Sequence, residues 1–354
     1  MDFASDNASG ASDKVMAALV AANSGFAPAY GADAATKEAE ARINALFGRE
    51  CAVFLLATGT ASNALALASV TPPWGAIFCH QDAHVMDDEC GAPEFYSAGA
   101  KLVGLAGENG KIEPASFEAA LDAYPRGLIK QVQPAALTLS QATESGTLYS
   151  LNEIAAFAAR AKQAGLAVHM DGARFANSIA ALGCAPADMT WRSGVDVLSL
   201  GASKNGTFAC EAVVFFDPAM AESFAYRRKR AGHTLSKGRF LAAQMNAWLE
   251  GDHWLELARH ANACAQKLEQ GLRQAGARIV WPRQVNEVFA IIPRSADAAL
   301  KSAGARYYEW PARALAPEAR PRSDETMVRL VCSFATTFED VERFASICAS
   351  STKG

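Results

Sequence analysis

Two stretches of this 354-residue chain end apolar runs in side chains that can do chemistry. Val168-His169-Met170 leads into Asp171-Gly172-Ala173-Arg174. Val195-Asp196-Val197-Leu198-Ser199-Leu200-Gly201 leads into Ala202-Ser203-Lys204-Asn205-Gly206. An apolar run with a polar end reads as a buried strand that delivers its last residues to the edge of a sheet. A lysine amine at such an edge can bind an aldehyde covalently. A carboxylate beside it can keep a ring nitrogen protonated, so that the ring draws electrons. Taken singly, each half has a plainer reading: Asp-Gly is a common turn, and a lysine between Ser and Asn is a common solvated loop residue.

Taken together and in this order, the two halves suit pyridoxal phosphate. They resemble the aldehyde-binding core of fold-type I pyridoxal phosphate enzymes. More narrowly, they are similar to the threonine aldolase group (low-specificity L-threonine aldolases and phenylserine aldolases) of the β-eliminating lyase superfamily. The resemblance implies Lys204 as the covalent anchor, Asp171 as the partner of the ring nitrogen, and Arg174 beside the ring hydroxyl and the substrate.

Further positions follow from the same likeness. Thr58-Gly59-Thr60-Ala61-Ser62-Asn63 joins a strand at 51–56 to a helix running to about residue 70. A glycine turn into a helix N-terminus can cradle a phosphate through free N–H groups, with Gly59 allowing close approach and Thr60 and Ser62 adding hydroxyls, although many α/β proteins keep such a glycine only for packing. After the strand 77–80, His84 fits the family's stacking imidazole better than His80, and it is our expected base for a substrate hydroxyl. Gln141-Ala142-Thr143-Glu144 follows the strand 135–139. The best-known threonine aldolases have Glu-Asn-Thr-His here, whereas a second subgroup carries the present type, which puts Glu144 where those relatives use a histidine. Ser5 and Tyr30 belong to polar clusters that read equally as cap and turn residues. The resemblance places Ser5 at the substrate carboxylate and Tyr30 in a neighbouring subunit's site. Arg329, charged within the apolar strand 327–334, is expected to clamp the α-carboxylate, the alternative being a structural ion pair. The basic cluster 227–239 reads by default as a solvated face, while the resemblance sets part of it, such as Lys237, against a phosphate across a subunit boundary.

The elements that must position these residues alternate. Strands are expected at 51–56, 77–80, 99–105, 135–139, 166–170, 196–200 and 212–216, with helices between them. That pattern is an α/β fold with a mainly parallel seven-stranded sheet flanked by helices. Residues 187–190 read as a loop and 240–276 as one long helical stretch. Three short strands and two helices after residue 278 read as a small α+β unit. We expect an N-terminal arm at 1–35, a large cofactor-binding domain at 36–245 and a small domain at 246–354. The reaction these parts imply is cleavage of a β-hydroxy-α-amino acid to glycine and an aldehyde. A β-eliminating lyase or aminotransferase on another amino acid is the alternative, and a non-catalytic binding protein a more distant one.

Bulk properties narrow the classes. A hydrophobic fraction of 51% and a charged fraction of 20% suit a globular enzyme. A net charge of −4 offers no case for a nucleic-acid or anionic-membrane partner. Eight scattered cysteines without a C-x-x-C pair suit reduced thiols in the cytoplasm, and no metal site is expected. The first residues do not read as a signal peptide, and the stretch 53–70 is too polar to span a bilayer. A small-molecule amino-acid substrate and self-association, as a homodimer or homotetramer with sites between subunits, complete the expectation.

Overall fold

The computed structural model describes residues 1–351; residues 352–354, the end of the expected small domain, lie outside the described residues. Seven strands form the main sheet: β1 (Ala52–Leu56), β2 (Gly75–His80), β3 (Lys101–Leu105), β4 (Gln133–Ser140), β5 (Ala167–Gly172), β6 (Val197–Gly201) and β7 (Glu211–Phe215). Their order is β1-β7-β6-β5-β4-β2-β3. The pairs from β6 to β3 are parallel, and β7 runs against both β6 and β1. The sheet is therefore α/β and mainly parallel. Because β1 and β6 both oppose β7, they share a direction, and the C-terminal ends of β1, β2, β4, β5 and β6 meet at one edge. β7 starts at that edge, with Glu211.

The central strands β2, β6 and β7 are buried at every position, as strands covered on both faces must be. Val168, Met170, Leu198 and Val214 are wholly inaccessible. The helix Leu151–Gln163 packs on this sheet. It opens with a capping box in which Ser150 and Glu153 satisfy each other's backbone N–H groups.

A second sheet of four strands, β8 (Arg278–Ile279), β9 (Glu287–Pro293), β10 (Tyr308–Glu309) and β11 (Glu325–Val331), is antiparallel in the order β10-β11-β9-β8. The short strand β10 was not expected; with only two residues it carries no readable alternation. Two other expectations need correcting. The stretch 240–276 is two helices, Arg239–Leu249 and His253–Gln274, broken where Gly251 and Asp252 take left-handed φ values of 64° and 59°. Pro186–Met189 is a helical turn, started by its proline, rather than a loop. No helix among the described residues is long and apolar enough to cross a membrane.

Candidate active site

Asp171 and Lys204 come from neighbouring strand ends. Asp171 pairs in register with Ser199 of β6, and Lys204 lies in the 3-10 turn Ser203–Asn205 that follows β6. Glu211 ties that turn down by accepting the N–H groups of Ala202 at 3.0 Å and Ser203 at 3.4 Å. Burial raises the Glu211 carboxyl to about 7. Lys204 is half-buried, and its amine makes no hydrogen bond or salt bridge among the described residues. Its charge is felt by Asp6, His84, Glu211 and Glu287.

Asp171 is buried and held from both sides. Its Oδ1 accepts the Ala173 N–H at 3.0 Å, and its Oδ2 accepts from Asn63 Nδ2 at 2.8 Å. Behind it on β5, His169 bridges Thr138 and Ser199. Burial lowers that imidazole to about 4, so it stays neutral.

The helix Gly59–Val70 starts at this edge after β1, with Thr58 as its cap: Thr58 Oγ1 accepts the Ala61 N–H at 3.3 Å. The Gly59 and Thr60 amides begin the helix and have no intrahelical acceptor. Gly59 is exposed, and a Cβ there would meet nothing within 4 Å, so the space before the helix is open. Ser62 differs from Thr60 in that its hydroxyl donates back to the Thr58 carbonyl at 3.1 Å.

His84 opens the short helix His84–Asp87, with Nδ1 2.9 Å from Glu89 Oε1. His80 is committed elsewhere, to the Gly107 carbonyl and the Asp82 amide. Glu144 Oε1 accepts the His84 backbone N–H at 2.9 Å and the Ser140 hydroxyl at 3.2 Å, while its Oε2 is buried without a partner. Burial, followed by the Asp171 charge, raises the Glu144 carboxyl to about 7.

Arg174 is buried and paired twice: with Asp6 at 2.8 Å and with Glu287 of β9 at 3.0 Å. Ser5 caps the turn Asp6–Ala8 by accepting the Asn7 N–H. Arg329 on β11 donates to the Ala4 carbonyl at 3.3 Å and lies 4.7 Å from the Trp310 ring centroid. Its Nε is buried with no partner, and no carboxylate lies within ion-pair distance among the described residues. The arm thus brings Ser5 and Asp6 beside Arg174 and Arg329. Tyr30 is set apart. It is exposed, has φ 59°, and packs under Lys229 with its N–H on the Ser236 carbonyl. The Lys237 amine makes no hydrogen bond or salt bridge among the described residues.

Three participants escaped the reading of the sequence. Asn63 sits in a run of eight buried residues, 61–68, where a lone amide must find partners. Glu287 is likewise a carboxylate at the head of an apolar strand. Glu89 carried no signal beyond lying in an acidic stretch. Together the residues fit pyridoxal phosphate: an unpaired amine and a buried carboxylate on adjacent strand ends, with open amides at a helix start nearby. Unsatisfied buried atoms on Asn63, Glu89 and Glu144, together with Arg329 Nε on β11 of the second sheet, leave polar groups there without a protein partner.

A seven-stranded sheet of this order carrying that pair defines a fold-type I pyridoxal phosphate enzyme. Residues 2–295 match the family model described as beta-eliminating lyase. The chain is 42% identical to a low specificity L-threonine aldolase of Pseudomonas aeruginosa over 344 residues, covering 97% of this chain and 95% of that one. It is 44% identical to another of that name from a Pseudomonas species over 307 residues, 86% of this chain and 88% of the relative. A Leishmania major threonine aldolase structure superimposes with a TM-score of 0.91 at 26% identity, covering 99% of both chains. A Sphingomonas wittichii serine palmitoyltransferase, at 17% identity and a TM-score of 0.72 over 100% of this chain and 87% of that one, shares the fold. The chain belongs to the beta-eliminating lyase family, and it is a lyase that works with pyridoxal phosphate.

Proposed function

We propose that the protein cleaves the Cα–Cβ bond of L-β-hydroxy-α-amino acids of the threonine, allo-threonine or phenylserine type, releasing glycine and an aldehyde. The unpaired Lys204 amine at the sheet edge where Asp171 ends the next strand carries this reading. The names of the Pseudomonas relatives support the substrate class.

Pyridoxal phosphate, when bound, supplies the aldehyde that takes up the substrate's amino group and a ring that accepts the electron pair freed at the α-carbon. Lys204 is the anchoring amine. Asp171 would keep a proton on the ring nitrogen, and Arg174, charged under the hold of Asp6 and Glu287, would hold the ring hydroxyl. The Gly59 and Thr60 amides, with the Thr60 hydroxyl, bind the phosphate. Ser62 contributes through its helix rather than its hydroxyl, which is already spent. Arg329 and Ser5 would fix the substrate carboxylate and so set the orientation of the Cα–Cβ bond. His84 removes the β-hydroxyl proton, and Glu144 contacts that hydroxyl.

We also propose the three-part division at residues 35 and 245, a homodimer or homotetramer in which Tyr30 enters a partner's site, and a cytoplasmic location. Fully exposed Phe26 and exposed Phe208 support association, and eight free cysteines suit a reducing compartment. Purified protein given L-threonine, L-allo-threonine and L-phenylserine should release glycine and the matching aldehyde; ammonia with a keto acid in their place would refute the aldolase reading.

A further inference from the structure

His84 is anchored through a chain of four side chains. Its Nδ1 meets Glu89 Oε1 at 2.9 Å, and the Glu89 side chain is 0% exposed. The same oxygen accepts one N–H of Asn63 at 2.8 Å, and Asn63 Nδ2 gives its other N–H to Asp171 Oδ2, also at 2.8 Å. Both protons of one amide are therefore spent on two carboxylates. A buried carboxylate is costly unless donors surround it, and here the donors are an imidazole and an amide. A glutamate kept only to hold a turn would need neither.

We propose that Glu89 is the positioning residue of an acid–base dyad with His84. By accepting the Nδ1 proton, it leaves Nε2 as the basic nitrogen for the substrate's β-hydroxyl. Asn63 locks this dyad to the carboxylate that serves the ring nitrogen. The inference rests on reading His84 as the base.

The proton balance is closed. Nε2 takes the hydroxyl proton as the C–O bond becomes the aldehyde carbonyl, and the Cα–Cβ electron pair leaves with the α-carbon. The imidazolium formed carries its charge against Glu89. Other charges face the pair from three elements: Glu144 at the His84 backbone N–H, Asp171 through Asn63, and Lys204 from the turn after β6, which opposes the other two. The Glu89 hydrogen bond holds the imidazole above its ordinary value, against the effect of burial.

The test uses the holoenzyme labelled with ¹⁵N-histidine, with the His84 signals assigned against His84→Asn. Wild type should show the Nδ1-protonated neutral tautomer. Glu89→Gln, whose Oε1 can keep both contacts, should lower the His84 midpoint by about one pH unit and carry the acidic limb of kcat/KM down with it. The same variant should cut kcat by roughly 10–100-fold with KM little changed. An Nε2-protonated tautomer in wild type overturns the proposal, and so does a midpoint unmoved in Glu89→Gln. If Glu89→Gln fails to fold, the wild-type tautomer still decides. Wild-type turnover by His84→Asn would instead sink the reading of His84 as base, while the tautomer result would stand apart from it.

Discussion

Asp6 and Arg174 lie 168 positions apart in the chain, yet they meet through two hydrogen bonds, Nε to Oδ2 at 2.8 Å and Nη2 to Oδ1 at 3.1 Å, with both side chains buried. This fork ties the N-terminal arm to the strand end that carries Asp171. Removing Asp6 takes two charge-assisted hydrogen bonds from a buried guanidinium that keeps Glu287 as its other carboxylate, so Asp6→Ala should cost roughly 1.5–3 kcal/mol in urea unfolding. Burial pushes the Asp6 carboxyl up, but Arg174 and Lys204 outweigh it and hold it below its usual value. Its contribution is therefore present above the unfolded value of about 4 and is lost as pH falls through the lower, folded one. An Asp6→Ala penalty that persists undiminished at the lowest pH where the protein still folds would argue against this fork.

Lys204→Ala should leave the fold intact and remove covalent cofactor, with turnover down by more than about a thousandfold. Borohydride reduction followed by peptide mapping checks the anchor: the modified peptide must contain residue 204.

Arg329→Leu should raise KM for threonine. A charge-assisted, two-pronged contact is worth about 1.5–3 kcal/mol, so kcat/KM should fall roughly 10- to 100-fold. If the fall appears equally with a substrate amine lacking the carboxylate, Arg329 does not bind that group.

Glu144→Gln keeps an acceptor for the His84 N–H but cannot ionise. The wild-type carboxyl is raised to about 7, so as pH climbs from about 4 to 7 the unfolded chain ionises while the folded protein keeps the proton, and stability falls across that window. The variant should therefore gain in melting temperature relative to wild type above pH 7, with the gain fading toward pH 4. Its kcat should drop about 10–100-fold if the carboxyl exchanges a proton with the β-hydroxyl. A flat stability difference across that range would contradict the raised value.

Tyr30→Ala should impair activity without lowering the melting temperature by more than about 2 °C, since the side chain is exposed. Mixing it with inactive Lys204→Ala subunits should restore part of the activity, because a hybrid dimer pairs an intact Lys204 site with the partner's intact Tyr30. Absence of restoration in verified hybrids would place Tyr30 outside a shared site.

Much of the architecture was legible in the order of residues. Alternating apolar runs and helical stripes give the seven main strands, because hydrophobic period reflects burial directly. The runs ending in Asp171 and Lys204 could be read for the same reason: polar residues at the end of a buried strand have one edge to go to. The two-residue strand β10 was not legible because it is too short to alternate, whereas the break at Gly251–Asp252 has a local signal, a glycine free to take a left-handed φ, that the apolar helical stripes on either side obscured. Only the tertiary structure decided that Asp6 and Glu287 would hold Arg174, and that Asn63 would join Glu89 to Asp171. Pairing energies between residues so far apart in the chain depend on where the backbone brings them, and no local pattern encodes that distance.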